Sequence, residues 1–224
     1  MKVYGFIPAR AGSKSIPLKN IKSINGKPLL QWSIDTANAS QLIDEVVVAT
    51  DSNFITHAVT GETTFERSKE SATDEASSEI VLMEFAASIG LNDLVVFIQA
   101  TSPLTTPFEL DQGIDMVLNQ DYDTALSVVR QKRFIWSLEG SPDYDLNARP
   151  RRQDWAGFFV ETGAFYVSTA KDILEHKCRL SGKIGMVECD PKTYLEIDEP
   201  EDWGIIEQLL KQQHEQSYHN STST

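Results

Sequence analysis

Arg10, Lys14 and Lys19 stand in and just beyond the small-residue segment Ala9-Arg10-Ala11-Gly12-Ser13-Lys14-Ser15, which directly follows the apolar run Val3 to Ile7. Ala, Gly and Ser let backbone N–H groups approach phosphate oxygens closely, and Arg10 and Lys14 supply positive charge where a pyrophosphate would sit. The chemistry indicated is that of a phosphate cradle. It is not a P-loop ATPase, because no glycine precedes Gly12 at the Walker A interval and Lys14 is followed by Ser15 without the Gly-Lys-Ser/Thr ending.

A second constellation is Leu195-Glu196-Ile197-Asp198-Glu199-Pro200-Glu201-Asp202. If Leu195 to Asp198 are extended, Glu196 and Asp198 project to one face and offer two hard oxygen ligands to a cation such as magnesium. Glu199 to Asp202 read instead as acids at the start of a final helix. His57 and His176 fall on helical surface and carry no catalytic reading. Cys178 and Cys189 lack a Cys-x-x-Cys partner or a histidine cluster, so neither a disulfide framework nor a zinc site is indicated, and both are expected to be reduced and structural.

Charge supports the cradle independently. The 224 residues carry 20 Lys+Arg against 33 Asp+Glu, net −13, which argues against broad binding to nucleic acid or to an anionic membrane. Yet residues 1–30 hold six of the bases (Lys2, Arg10, Lys14, Lys19, Lys22, Lys27) and no acid, leaving 14 bases against 33 acids elsewhere. A cationic end in an acidic protein suits a small polyanion. No apolar run approaches the ~18 residues of a membrane span, so a cytoplasmic protein with one domain is expected.

These residues need elements to place them. Short β-branched runs at Val3–Ile7, Val46–Ala49, Leu94–Gln99, Ala125–Val129 and Ala164–Val167 read as strands. Between them, Pro28 can open a helix through Trp32, Ile34 and Ala37, and Ser77 or Ser78 can cap another. Thr106-Pro107-Phe108-Glu109 has capping-box spacing with proline at the first helical position. Alternating strands and helices predict an α/β fold, a doubly wound and mostly parallel sheet whose ligands bind at the carboxyl ends of strands. The Gly12 loop, Thr50-Asp51 and Gln99-Ala100-Thr101-Ser102-Pro103 all fall at such ends. From Gln131 to Phe158 the alternation loosens around Trp136, Pro142, Trp155 and the basic cluster Arg149, Arg151 and Arg152. This stretch, 131–158, reads as an inserted arm that packs on a second subunit or carries arginine to an acidic substrate. The polar tail 211–224 is expected to fray.

Several long motifs in series resemble the acylneuraminate cytidylyltransferases, or CMP-sialic acid synthetases, from Val3 to about Leu209. They are Ile7 to Asn20, then Arg67-Ser68-Lys69-Glu70-Ser71-Ala72-Thr73-Asp74-Glu75-Ala76-Ser77-Ser78, then Gln99-Ala100-Thr101-Ser102-Pro103-Leu104. Arg149-Pro150-Arg151-Arg152-Gln153-Asp154-Trp155 is similar to a segment of animal-type members, whose phosphatase-like second domain has no counterpart expected in these residues.

The resemblance implies a Rossmann-like nucleotidyltransferase fold, and a reaction of CTP with a sialic acid that gives CMP-sialate and pyrophosphate. It implies that Arg10, Lys14 and Asp198 are catalytic, and that Ala9, Ala11, Gly12, Ser13, Lys19, Asn20, Arg67, Ala72 and Ser77 bind the nucleotide. Gln99, Thr101 and Tyr166 would face the sugar. Glu196 and Asp198 would hold Mg²⁺ or Mn²⁺, and the protein would be a homodimer in which Arg152 and Gln153 serve the partner's sialate.

Two departures stand out. Ser15 replaces a common glycine, which would stiffen the loop if that position needs positive φ, and Glu196 replaces a usual aspartate. The alternatives are a cytidylyltransferase for another 2-keto-3-deoxy acidic sugar, of legionaminate or 3-deoxy-manno-octulosonate type, a sugar 1-phosphate pyrophosphorylase of the same fold, and a non-catalytic nucleotide-binding protein. No general base is identifiable.

Overall fold

The computed structural model describes residues 1–221 apart from Lys14, Thr60, Gly61 and Asp74, with side chains through Gln213. Its elements in chain order are β1 (Val3–Pro8), β2 (Ser23–Ile24), β3 (Lys27–Pro28), α1 (Leu29–Asn38), β4 (Glu45–Thr50), α2 (Asn53–Ala58), β5 (Thr63–Glu66) and α3 (Ser78–Ala86). There follow β6 (Leu94–Ile98), α4 (Pro107–Asn119), β7 (Thr124–Gln131), β8 (Phe158–Thr169), α5 (Ala170–His176), β9 (Ile184–Glu188) and α6 (Pro200–Ser221).

The seven-stranded sheet has the order β5-β4-β1-β6-β8-β7-β9. Strands β5, β4, β1 and β6 pair in parallel, so their carboxyl ends share one rim. β8 runs antiparallel to both β6 and β7. Two reversals return β7, and β9 parallel to it, to the direction of β6. The expected mostly parallel α/β sheet is therefore present, with one strand inverted inside it.

Alternate side chains of the central strands feed two cores, as the two-residue period of a strand requires. Val46 and Val48 join Ile34, Ile98, Leu110 and Ile114 on one face, while Val47 and Ala49 join Leu82, Phe85, Phe97 and Ile173 on the other. A third cluster, Ile16, Ile24, Leu29, Trp32, Leu104, Ile197 and Ile206, packs α6 against the base of the first loop. Gly113 lets α4 lie close on the sheet, since a Cβ there would stand 2.8 Å from Cε2 of the buried Phe165 ring.

All five expected strands are present, although β7 and β8 extend well beyond the predicted runs. Helix α1 begins after Pro28, Ser77 is the N-cap of α3, and the Thr106–Glu109 capping box is formed on both sides. The hairpin β2–β3, strands β5 and β9 and the short helices α2 and α5 are additions to the sequence reading. The backbone of α6 continues as helix through residues 211–221, where the polar composition suggests fraying.

Candidate active site

Because β5, β4, β1 and β6 are parallel, four consecutive chain ends converge at one rim: Arg67 follows β5, Asp51 follows β4, Arg10 follows β1 and Gln99 follows β6. Between them lies a cleft of about 460 Å³ whose lining includes Arg10, Gly12, Ser13, Ser15, Lys19, Asn20, Arg67, Gln99, Thr101 and Asp198. Residues distant in sequence but assigned to one site are thus brought together.

The first loop is held at several points. The Ala9 N–H donates to the Ala49 carbonyl at 2.8 Å, and the Ala11 N–H to Asp51 Oδ1 at 3.2 Å. Asn20 Nδ2 reaches back to the Arg10 carbonyl at 3.0 Å, while Arg10 Nη1 donates to the Thr73 carbonyl at 3.2 Å. Leu18 sits at φ 53°, in the left-handed region that a branched side chain rarely adopts, immediately before a 3-10 turn carrying Lys19 and Asn20 into the cleft. Ser15 is not among the positive-φ residues, so replacing glycine there imposes no backbone strain. Its hydroxyl instead donates to the Asp198 carbonyl, linking the cationic loop to the acidic segment. Lys14 lies outside the described residues.

Leu195 is extended, and the chain from Leu195 to Asp198 forms no regular element. Ile197 is fully buried in the third core cluster, and its N–H donates to the Thr101 carbonyl at 2.9 Å. Glu196 and Asp198, on either side of it, lie close enough for their carboxyls to interact. Burial, and second the adjacent Asp198 charge, raise the Glu196 carboxyl to about 7, against the opposing pull of Lys19 and the Thr101 hydroxyl. Lys19 Nζ contacts the Ile197 carbonyl at 2.7 Å and Asp198 Oδ1 at 3.3 Å. Glu196 and Asp198 are the residues here that would offer oxygens to a hard divalent cation. Among the described residues there is no group of three or more His, Cys, Asp or Glu side chains suited to a metal. A cation here would therefore take its remaining oxygens from a bound ligand or water, the usual manner of magnesium. Asp202 is different: its carboxylate accepts the N–H groups of Asp198 and Glu199 at 3.0 and 2.8 Å, so it serves the start of α6, as the sequence suggests.

The remaining candidates are placed less directly. Ser77 holds the N-cap position of α3, without a side-chain capping bond, between Ala76 and Ser78, which line the cleft, and Ala72 lies within the loop from Arg67 to Ser77 without lining it. Tyr166 is buried on the α3 and α5 face beside Phe97, its hydroxyl on Glu161 and its ring under the Arg179 guanidinium, and it is not among the cleft-lining residues. Arg152 and Gln153 are exposed on the arm and likewise do not line this cleft. Both cysteines are free, and burial pushes the Cys189 thiol up to about 12, leaving it inert. Sequence reasoning missed Asp51 as a brace for the loop, Ser15 as a bridge and Glu84 beneath Arg67. Of these, only Asp51 was signalled, by its place at a strand end.

A sequence profile of the family described as Cytidylyltransferase matches residues 4–222. N-acylneuraminate cytidylyltransferase A of Danio rerio is 37% identical over 218 residues, 93% of this chain and 50% of that protein. CMP-N,N'-diacetyllegionaminic acid synthase of Legionella pneumophila is 27% identical over 230 residues, covering 94% of this chain and 97% of that protein. The chain thus spans about half the length of the first of these relatives and nearly all of the second. A solved CMP:2-keto-3-deoxy-manno-octonic acid synthetase complexed with CTP superposes with a TM-score of 0.71 at 19% identity, over 95% of this chain and 100% of that one, which is a likeness of fold. With the profile running almost from end to end of a sheet that gathers a cationic loop and a carboxylate pair at one rim, the chain belongs to the cytidylyltransferase family.

Proposed function

We propose that the protein transfers CMP from CTP to the anomeric hydroxyl of a sialic acid, N-acetylneuraminate or a close relative. The observation that carries this reading is the cleft itself, at the carboxyl ends of β1 and β6, whose lining joins Arg10, Lys19 and Arg67 to Asp198, with Lys19 paired to Asp198. The 37% identity to an N-acylneuraminate cytidylyltransferase supports the choice of acceptor.

In this reading the anomeric oxygen forms a bond to the α-phosphorus, the bond from that phosphorus to the bridging oxygen breaks, and pyrophosphate leaves. Arg10 and Lys14 neutralise the charge that grows on the leaving group, with Gly12 and Ser13 completing the cradle through N–H groups. Lys19 and Asn20 hold phosphate or ribose, and Arg67 borders the cytidine. Gln99 and Thr101 orient the sugar, so that much of the barrier is met by positioning. Glu196 and Asp198 would hold Mg²⁺ or Mn²⁺, which supplies further charge neutralisation to the triphosphate. No histidine lines the cleft among the described residues, and in this reading the acceptor proton passes to solvent. A homodimer in which the arm brings Arg152 and Gln153 to the neighbour's cleft, working in the cytoplasm, completes the proposal.

The test is pyrophosphate release from CTP with a panel of acidic sugars. Release with N-acetylneuraminate well above that with 3-deoxy-manno-octulosonate is expected. A preference for a legionaminate would transfer the assignment to the second reading, favoured by the end-to-end match to the Legionella synthase. CTP binding without turnover of any sugar would make the protein a nucleotide binder.

A further inference from the structure

We propose that Glu84, on α3 and outside the cleft, is a positioning residue that holds both cleft arginines through the loop of residues 67–73. The inference rests on reading the cleft as a nucleotide site.

Arg67 is anchored by its backbone, whose N–H donates to the Thr50 carbonyl at 3.1 Å, but its long side chain needs separate restraint. Nη2 donates to the Ser71 carbonyl, and Nε is buried without a protein partner. The Ser71 carbonyl is therefore what fixes the guanidinium. Ser71 is fully buried, and its own position is set by its hydroxyl, which donates to Glu84 Oε2 at 2.8 Å. Ser68 does the same with the other oxygen: its hydroxyl donates to Glu84 Oε1 while accepting the Ser71 N–H at 3.0 Å. One carboxylate so takes both serine hydroxyl hydrogens, and the Ser68 N–H approaches it at 3.4 Å.

The loop then closes on itself, Ala72 N–H to the Ser68 carbonyl at 3.1 Å, and presents the Thr73 carbonyl that accepts from Arg10 Nη1. Glu84 can transmit rigidity because its helix neighbours Val81, Leu82 and Phe85 are locked in the core. Two arginines that follow different strands are thus linked through one loop to one carboxylate of a third element. Charge matters as well as geometry. Burial lowers the Arg67 pKa most, nearby Arg10 adds to this, and Asp51 and Glu84 oppose it.

Three variants test the assignment: Glu84→Ala, Glu84→Gln, which keeps one acceptor oxygen, and Ser71→Ala. Calorimetric CTP affinity is measured together with amide hydrogen exchange of the ligand-free protein. Glu84→Ala and Ser71→Ala should each weaken CTP on the order of tenfold, as expected for a lost hydrogen bond to a charged group. Glu84→Gln should fall between them and wild type. Exchange should accelerate in residues 67–73 and stay unchanged in β1 and β6, KM for CTP should rise, and kcat should fall by less than in Arg10→Ala, because Arg10 is displaced rather than removed. If Glu84→Ala fails to fold, the other two carry the same expectations. Wild-type affinity and exchange in the folded variants would overturn the inference alone. Acceleration spread evenly over the sheet would reduce Glu84 to a packing role and overturn it too. Wild-type protein with no affinity for CTP would overturn the functional reading and this inference together.

Discussion

On the proposed function Arg10 would act at the chemical step rather than in the fold, since the loop that carries it is braced by the backbone of Ala9 and Ala11 and by the side chain of Asn20. Arg10→Ala should therefore lower kcat about 10²- to 10³-fold, roughly 3–4 kcal/mol of barrier, as removal of a group aimed at developing charge does. The denaturation midpoint should stay that of wild type, and near-normal turnover would take Arg10 out of the site. The carboxylate pair divides its work unequally. The Glu196 carboxyl is raised to about 7, first by burial and then by Asp198, and Asp198 is the more exposed of the two, so the proposal gives Asp198 the larger share of any metal binding. Activity should vanish in EDTA and return with Mg²⁺ or Mn²⁺. Asp198→Asn should raise the metal concentration for half-maximal rate more than Glu196→Gln does, and full activity of Asp198→Asn at low magnesium would refute the ligand assignment. Ser15 shows why residue type alone misleads here. Read against a family glycine it suggests a stiffened loop, whereas its backbone needs no positive φ and its hydroxyl joins the two halves of the site.

At the scale of elements, α4 offers a clean contest between local and tertiary effects. Gly113→Ala should gain about 1 kcal/mol in helix propensity. The added Cβ would meet Phe165 at 2.8 Å, a ring with no exposed surface to move into, and overpacking of that kind costs about 1–3 kcal/mol. A net loss of stability is expected in chemical denaturation, and a net gain would mean that α4 can lift off the sheet. The same elements show what was legible beforehand. Apolar runs such as Val46–Ala49 and the Thr106 capping box carry their structure in local pattern, so they could be read directly. The hairpin β2–β3 was signalled by Asn25-Gly26, both of positive φ at 50° and 85°, as a tight primed turn demands. Its two-residue strands are too short to show a period. Strand β9 alternates exposed Ile184, Met186 and Glu188 with buried Gly185 and Val187, and the glycine hides that alternation. Site residues delivered by strand ends were legible for the same reason as the strands. Glu84 was not, because its role depends on a loop returning to the side of a helix, which no spacing encodes.

For the whole molecule the sheet topology carries a further consequence. Since β7 runs parallel to β6, its end at Gln131 lies on the rim that holds the cleft, and the chain leaves that rim as the arm before returning at Phe158. The arm keeps a small aromatic core of its own, Phe134 with Tyr144 and Trp155 at 4.6 and 5.6 Å, capped by Arg149 over Phe134 at 5.0 Å. Outside that core it exposes Ile135, Trp136, Leu138 and Leu146, apolar surface whose burial against a second copy would be favourable. Arg152, exposed beside this surface and absent from the cleft lining of its own chain, is suited by its planar fork to hold a carboxylate across such an interface. Complementation tests the crossing. An inactive Arg152→Ala protein and an inactive Arg10→Ala protein, mixed in equal amounts and re-formed as dimers, each supply what the other lacks. Half of the dimers should be mixed, each with one intact cleft built from Arg10 of one chain and Arg152 of the other, so activity should recover to about a quarter of wild type for a two-fold dimer. If the arm serves its own chain, every cleft keeps a lesion and the mixture stays inactive; a monomer in light scattering would sink the crossing before any mixing.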